Sequence, residues 1–198
     1  ELNKGYSAGL PENLVELTSL SNSLKTDIRY ATNNNVFGFR VYNENKAYLQ
    51  NDAAKALVQA HNNLEKEGLG LVIFDAYRPW YVTKFFWDMT PTDKRIFVAN
   101  PKYGSRHNRG GAVDIGLYDR KTGIIVNVVA GYDEMTERSY PHYPGGTALQ
   151  RWYRDRLINV MSQSGFEVYE YEWWHFDYKN WKEYPVMNFS FDALNSLD

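Results

Sequence analysis

Cysteine is absent from the 198 residues, which excludes disulfide frameworks, thiolate metal sites and a cysteine nucleophile. Histidine is scarce, with four copies, so a transition metal would have to be held by imidazole and carboxylate drawn from a small set. Neither sign of charge dominates: 22 Lys and Arg against 24 Asp and Glu give a formal net charge of -2, which offers no footprint for nucleic acid or an anionic membrane surface. Long hydrophobic runs are also missing. The longest, Leu69 to Phe74 and Ile124 to Ala130, have strand length, so no membrane span is expected. Without repeats, low-complexity tracts or a linker, the chain reads as one domain over residues 1–198, long enough to bury a core. It starts at Glu1 without a Met, which favours a bacterial cell-envelope, periplasmic or secreted location, with the cytoplasm as the alternative.

What is present falls into short elements. The first fifty residues read as loops and short extended pieces, with Thr26 to Tyr30 the most strand-like. Ala53, Ala56, Leu57, Ala60 and Leu64 recur at helical spacing, predicting a helix from Asn51 to Glu67, capped by Asn51 or Asp52 and stopped by Gly68. Leu69 to Asp75 suits a strand buried on both faces, and an aromatic helix around Trp80 to Met89 follows Pro79. Residues 90–111 form a long loop, of the kind that often carries function. Ala112 to Tyr118 alternates and turns through Asp119 to Gly123 into Ile124 to Val129, predicting a hairpin. Leu149, Trp152, Tyr153, Leu157, Val160 and Met161 mark a helix over 147–164, and Phe166 to Tyr171 a strand leading into Glu172. The pattern predicts an α+β fold, a small, mainly antiparallel sheet with helices packed around it.

Two constellations carry chemistry. In the first, His107 lies in the loop, Gly110 and Gly111 permit a tight turn, and Asp114 projects from a strand face whose neighbours Ala112 and Gly116 are too small to fill space. The alternative is a wet strand face beside a surface histidine. In the second, Glu172-Trp173-Trp174-His175 places a base beside an imidazole, but a regular strand would point Glu172 and His175 to opposite faces. Either the backbone bulges within Trp173-Trp174 or this is an aromatic core strand with an incidental histidine. Together, His107, Asp114 and His175 match the catalytic pattern of three protein ligands and one water around a single Zn2+. Glu172 would then serve as general base and acid, and Arg78, after the buried strand, would stabilise an oxyanion unless it is a solvated loop residue. Trp173 and Trp174 flank both base and ligand and would orient them.

Ser105-x-His107-x-x-Gly110-x-Ala112-x-Asp114, with Glu172-Trp173-Trp174-His175, resembles the zinc signature of D-alanyl-D-alanine dipeptidases of the VanX type. These belong to a wider group that includes D-Ala-D-Ala carboxypeptidases and the hedgehog amino-terminal domain. The resemblance extends over Asp27 to Thr32, Phe37-Gly38, Phe74 to Pro79, Tyr132-Asp133, Glu137 to Ser139 and Tyr184-Pro185, and departs from the pattern at Val128 to Gly131 and Glu134 to Thr136. It implies zinc on His107, Asp114 and His175, Glu172 as base, Arg78 at the transition state, and Tyr30, Ser105 and Asp133 around the ammonium end of a small D,D-dipeptide. An anion such as Asp133 in a narrow cleft would reward a free amino terminus and penalise longer chains.

The expected reaction is hydrolysis of D-alanyl-D-alanine. The rivals are a D,D-carboxypeptidase or endopeptidase acting on longer stem peptides, and a non-catalytic zinc-binding interaction module. Of the remaining histidines, His61 reads as a packing residue on the first helix and His142 as a loop residue between two prolines. The sequence carries no signal for an oligomeric state.

Overall fold

The computed structural model describes residues 13–195, so the expected domain limits of 1 and 198 lie outside it. Eleven regular elements follow in order: β1 (Leu14–Glu16), β2 (Lys25–Thr26), β3 (Tyr48–Gln50), α1 (Asn51–Glu65), β4 (Leu69–Asp75), α2 (Trp80–Met89), β5 (Ala112–Asp119), α3 (Ala148–Gln163), β6 (Phe166–Tyr169), β7 (Glu172–Tyr178) and α4 (Phe191–Asn195). β1 and β3 form a separate antiparallel ribbon, and the main sheet has the order β2-β4-β5-β7-β6. Only β2 runs parallel to its neighbour. One hydrophobic core spans the described residues, as expected of a single mainly antiparallel α+β domain.

β4 is buried along its whole length, paired with β2 and β5 at its edges and packed against α1 and the turn at Arg29–Ala31. α1 places Leu57, Ala60 and Leu64 against it, and each leucine contributes about 1.5–3 kcal/mol by leaving water. The helix is capped by Gln50 instead of Asn51 or Asp52, because β3 runs straight into it and Gln50 is held by the Arg109 and Gly110 carbonyls. Gly68, with φ 73°, supplies the expected stop.

Three other expectations are corrected. Of Thr26 to Tyr30 only Thr26 is strand, as the end of β2: beyond it Asn45 takes the Ile28 amide and the chain coils into a 3-10 turn over Arg29–Ala31, which buries Tyr30. The predicted hairpin reduces to a turn and one bridge, Tyr118 with Ile125. Continued in that register, the returning arm would reach Asp114 at Val129, but that edge of β5 is already paired with β7 through Asp114 and His175. The arm therefore peels away and becomes the wall carrying Tyr132 and Asp133. In α3, Thr147 and Gln150 form a capping box, but Leu149 and Trp152 are exposed. The rest of the expected stripe holds: Leu157, Val160 and Met161 are fully buried, joined on that side by Arg154, whose guanidinium donates to the Tyr143 carbonyl (2.7 Å).

Candidate metal centre and cleft

β5 and β7 bring Asp114 directly opposite His175. His107 arrives from a 3-10 turn, His107–Arg109, that ends at Gly110 in the left-handed region (φ 64°), where a side chain would also strike Leu14. Asn108, fully buried, ties this turn to the loop after β4. It accepts from the Ser105 amide (2.6 Å) and donates to the Arg78 carbonyl (2.7 Å) and to Thr83 (2.8 Å). The two sequence constellations are thus brought together.

Three acceptor atoms converge. His107 Nε2 lies 3.1 Å from His175 Nδ1 and 3.3 Å from Asp114 Oδ1, and the latter two are 3.0 Å apart. Each outer ring nitrogen is committed as a donor: His107 Nδ1 to the Ala76 carbonyl (2.7 Å) and His175 Nε2 to Asp177 Oδ1 (3.0 Å). In neutral imidazoles both inward nitrogens then carry bare lone pairs facing a carboxylate, an arrangement that requires a cation. Tyr132 donates to the second oxygen of Asp114 (2.9 Å), which leaves Oδ1 to the site.

The electrostatics fit this. Burial opposes ionisation of Asp114, but His107 and His175 outweigh it and hold its carboxyl well below the usual range. Burial also disfavours the His175 imidazolium, yet Asp177 and Asp114 push it up to about 10, so a metal here competes with a proton. His107, Asp114 and His175 are all buried, and their donor set suits a borderline metal with an open position.

Glu172 Oε2 stands 3.8 Å from His175 Nδ1. The geometric obstacle is resolved by a bulge: one step along β6, from Tyr169 to Val168, spans Glu172 to Phe176 on β7, which turns Glu172 and His175 to the same side. Burial, with help from the nearby Asp114 and Asp133 charges, raises the Glu172 carboxyl to about 8. The face beside Asp114 is not open as expected. Phe74 lies where a Gly116 side chain would be (2.8 Å) and packs 4.9 Å from the Tyr132 ring, so the small residues make room for the group that steadies Asp114.

Arg78 is buried beside the site. Its Nε and Nη2 are held by Asp75 (2.9 and 2.6 Å), and its guanidinium lies over Phe86 and Tyr30. Tyr30 donates to Asp133 (2.7 Å), which sits at φ 58°, and burial raises the Asp133 carboxyl to about 7. Ser105 is buried, its hydroxyl oxygen accepting from the His107 amide. Arg78, Ser105, Asp133, Glu172 and Trp174 all line one cavity of about 280 Å³ with the three convergent residues. Trp174 lines this cavity, while the Trp173 ring lines a neighbouring one and donates to the Ala130 carbonyl (3.1 Å), so it steadies the cleft wall from behind the base.

Four neighbours of the site escaped sequence reasoning: Asp75, Tyr132, Asp177 and Arg106, which lines the cavity and donates to Asp177. Asp177 had a signal, since two residues after His175 on a strand it shares that face. So did Asp75, an acid closing an otherwise apolar strand. His61 is more than packing: its Nδ1 accepts from the Leu71 amide (3.0 Å), tying α1 to β4. His142 is exposed and lines a different cavity with Arg154 and Asp155.

The family model described as D-ala-D-ala dipeptidase matches residues 11–192. The D-alanyl-D-alanine dipeptidase of Escherichia coli K12 is 33% identical over 183 residues, covering 92% of this chain and 93% of that one. The enzyme of the same name from Enterococcus faecium is 30% identical over 193 residues, covering 88% and 95%. A solved vancomycin-resistance D,D-pentapeptidase in complex with Zn(II) aligns with a TM-score of 0.42 at 13% identity, over 72% of this chain and 79% of that one. The chain belongs to the D-ala-D-ala dipeptidase family of metallopeptidases.

Proposed function

We propose that the chain is a zinc-dependent dipeptidase that hydrolyses D-alanyl-D-alanine or a close D,D-dipeptide to free amino acids. The observation that carries this is the convergence of His107 Nε2, Asp114 Oδ1 and His175 Nδ1 beside Glu172 in a cleft that the Asp133 carboxylate also lines. His107, Asp114 and His175 would hold one Zn2+. When bound, zinc supplies Lewis acidity toward water and the scissile carbonyl.

The chain's own groups do the rest. Glu172 takes the proton of the attacking water and returns it to the leaving amine, and its burial gives it a proton affinity suited to both tasks. Asp75 occupies two donors of Arg78, leaving Nη1 for the carbonyl oxygen as it gains charge. Asp133 with Tyr30, beside Ser105, receives the ammonium end. A peptide without a free amine there would leave the half-buried Asp133 carboxylate with the Tyr30 hydroxyl but no cation, which disfavours longer chains. Trp174 closes the wall against Tyr132, and Trp173 braces the Ala130 segment from behind. Glu172 and Arg78 have no purpose in a binding-only zinc module.

The test compares zinc-loaded protein on D-alanyl-D-alanine, L-alanyl-L-alanine and a stem pentapeptide ending in D-Ala-D-Ala. Release of D-alanine from the D,D-dipeptide alone is expected. Comparable release from the pentapeptide contradicts the dipeptide reading in favour of a carboxypeptidase.

A further inference from the structure

A dipeptide spans only about 7 Å in extended form, so both of its charged ends fall inside one cleft. The dipeptidase reading assigns the ammonium to Asp133 and Tyr30 but leaves the carboxylate without a partner. Among the described lysines and arginines, two line the cleft: Arg78 and Arg106. Arg78 lies at the ammonium end, over the Tyr30 ring, with two donors already given to Asp75.

Arg106 is built differently. Its Nη1 donates to Asp177 Oδ2 (2.6 Å), and its guanidinium lies 5.1 Å from both the Tyr169 and Trp181 ring centroids. The other oxygen of Asp177 accepts from His175 Nε2, so one carboxylate fixes both the guanidinium and the imidazole. Nε and Nη2 of Arg106 make no hydrogen bond among the described residues. That pair is the side edge of the planar fork, which matches the two oxygens of a carboxylate. Tyr169 also lines the cleft and lies 5.5 Å from the His175 ring, which places the stacked guanidinium on the His175 side of the cleft.

We propose that Arg106 binds the free carboxylate of the dipeptide, held in place for that task by Asp177. Resting on the dipeptidase reading, this makes the cleft a gauge read at both ends: Asp133 at the amine, Arg106 at the acid. A peptide amide, or a chain extended beyond its second residue, presents no charge to Arg106.

The experiment measures kcat and KM for zinc-loaded wild type, Arg106→Gln and Arg106→Lys on D-alanyl-D-alanine and on its C-terminal amide, with zinc content and Tm for each protein. In Arg106→Gln, kcat/KM on the dipeptide is expected to fall about 30-fold, chiefly through KM, while the already slow amide reaction changes less than about twofold. Arg106→Lys is expected to recover part of the dipeptide loss. An equal loss on both substrates, or no loss on either, overturns the assignment to Arg106. Wild type that cleaves neither substrate overturns the dipeptidase reading itself, and the proposal with it.

Discussion

The Tyr132 hydroxyl donates to one oxygen of Asp114 across 2.9 Å, and this fixes which oxygen is left for the metal. Burial, together with the Asp114 charge, holds the Tyr132 phenol well above its usual pKa, so it remains a donor at every working pH. Tyr132→Phe removes the donor with little change of shape. Zinc affinity is expected to fall about tenfold, measured by competition with a chromophoric chelator. An unchanged dissociation constant would contradict the role given to Tyr132.

Asp133 trades stability for binding. Its carboxyl ionises near 7 in the fold and near 3.8 in the unfolded chain, because burial penalises the anion. The raised value means the folded state holds the proton more tightly. Stability is therefore lost as pH rises from about 4 and the loss levels off above about 7, reaching at most about 4 kcal/mol. Asp133→Asn, which tolerates the left-handed backbone, is expected to raise Tm of the metal-free protein at pH 8, to raise it only about a quarter as much at pH 4.5, and to lower dipeptidase activity. The same Tm change at both pH values would contradict this.

Asn108 joins the Arg78 loop to the His107 turn. Asn108→Ala leaves the buried Ser105 amide and Arg78 carbonyl without these partners, and unfolding free energy is expected to fall by about 2–4 kcal/mol in denaturant titrations. Because Arg78 and His107 then lose their mutual register, kcat is expected to fall as well. A variant of wild-type stability would remove Asn108 from this account.

The metal ligands and the base were legible because their chemistry is local: spaced imidazoles, one carboxylate on a strand face, and a Glu three residues from a His. The bulge that reconciles Glu172 with His175 was legible only as a requirement, since its cause lies in pairing with β6. Tyr132 stayed hidden because Ile124 to Val129 alternates like a strand, and only competition from β7 for the edge of β5 shows why the arm departs. Only the start of the inward face of α3 was misjudged, for a similar reason. Periodicity includes Leu149 and Trp152 with the buried Leu157, Val160 and Met161, but the first turns of the helix are exposed and the buried polar residue there is Arg154, serving the Tyr143 carbonyl. In each case the missing information was a partner distant in sequence.

The central claim is that three residues hold zinc while Glu172 moves the proton. It is tested most directly by measuring zinc stoichiometry and D-alanyl-D-alanine hydrolysis together, for wild type and Glu172→Ala. The account predicts one zinc per chain in both proteins and a fall in kcat of at least about a hundredfold in the variant. Full zinc with undiminished turnover in Glu172→Ala would contradict it.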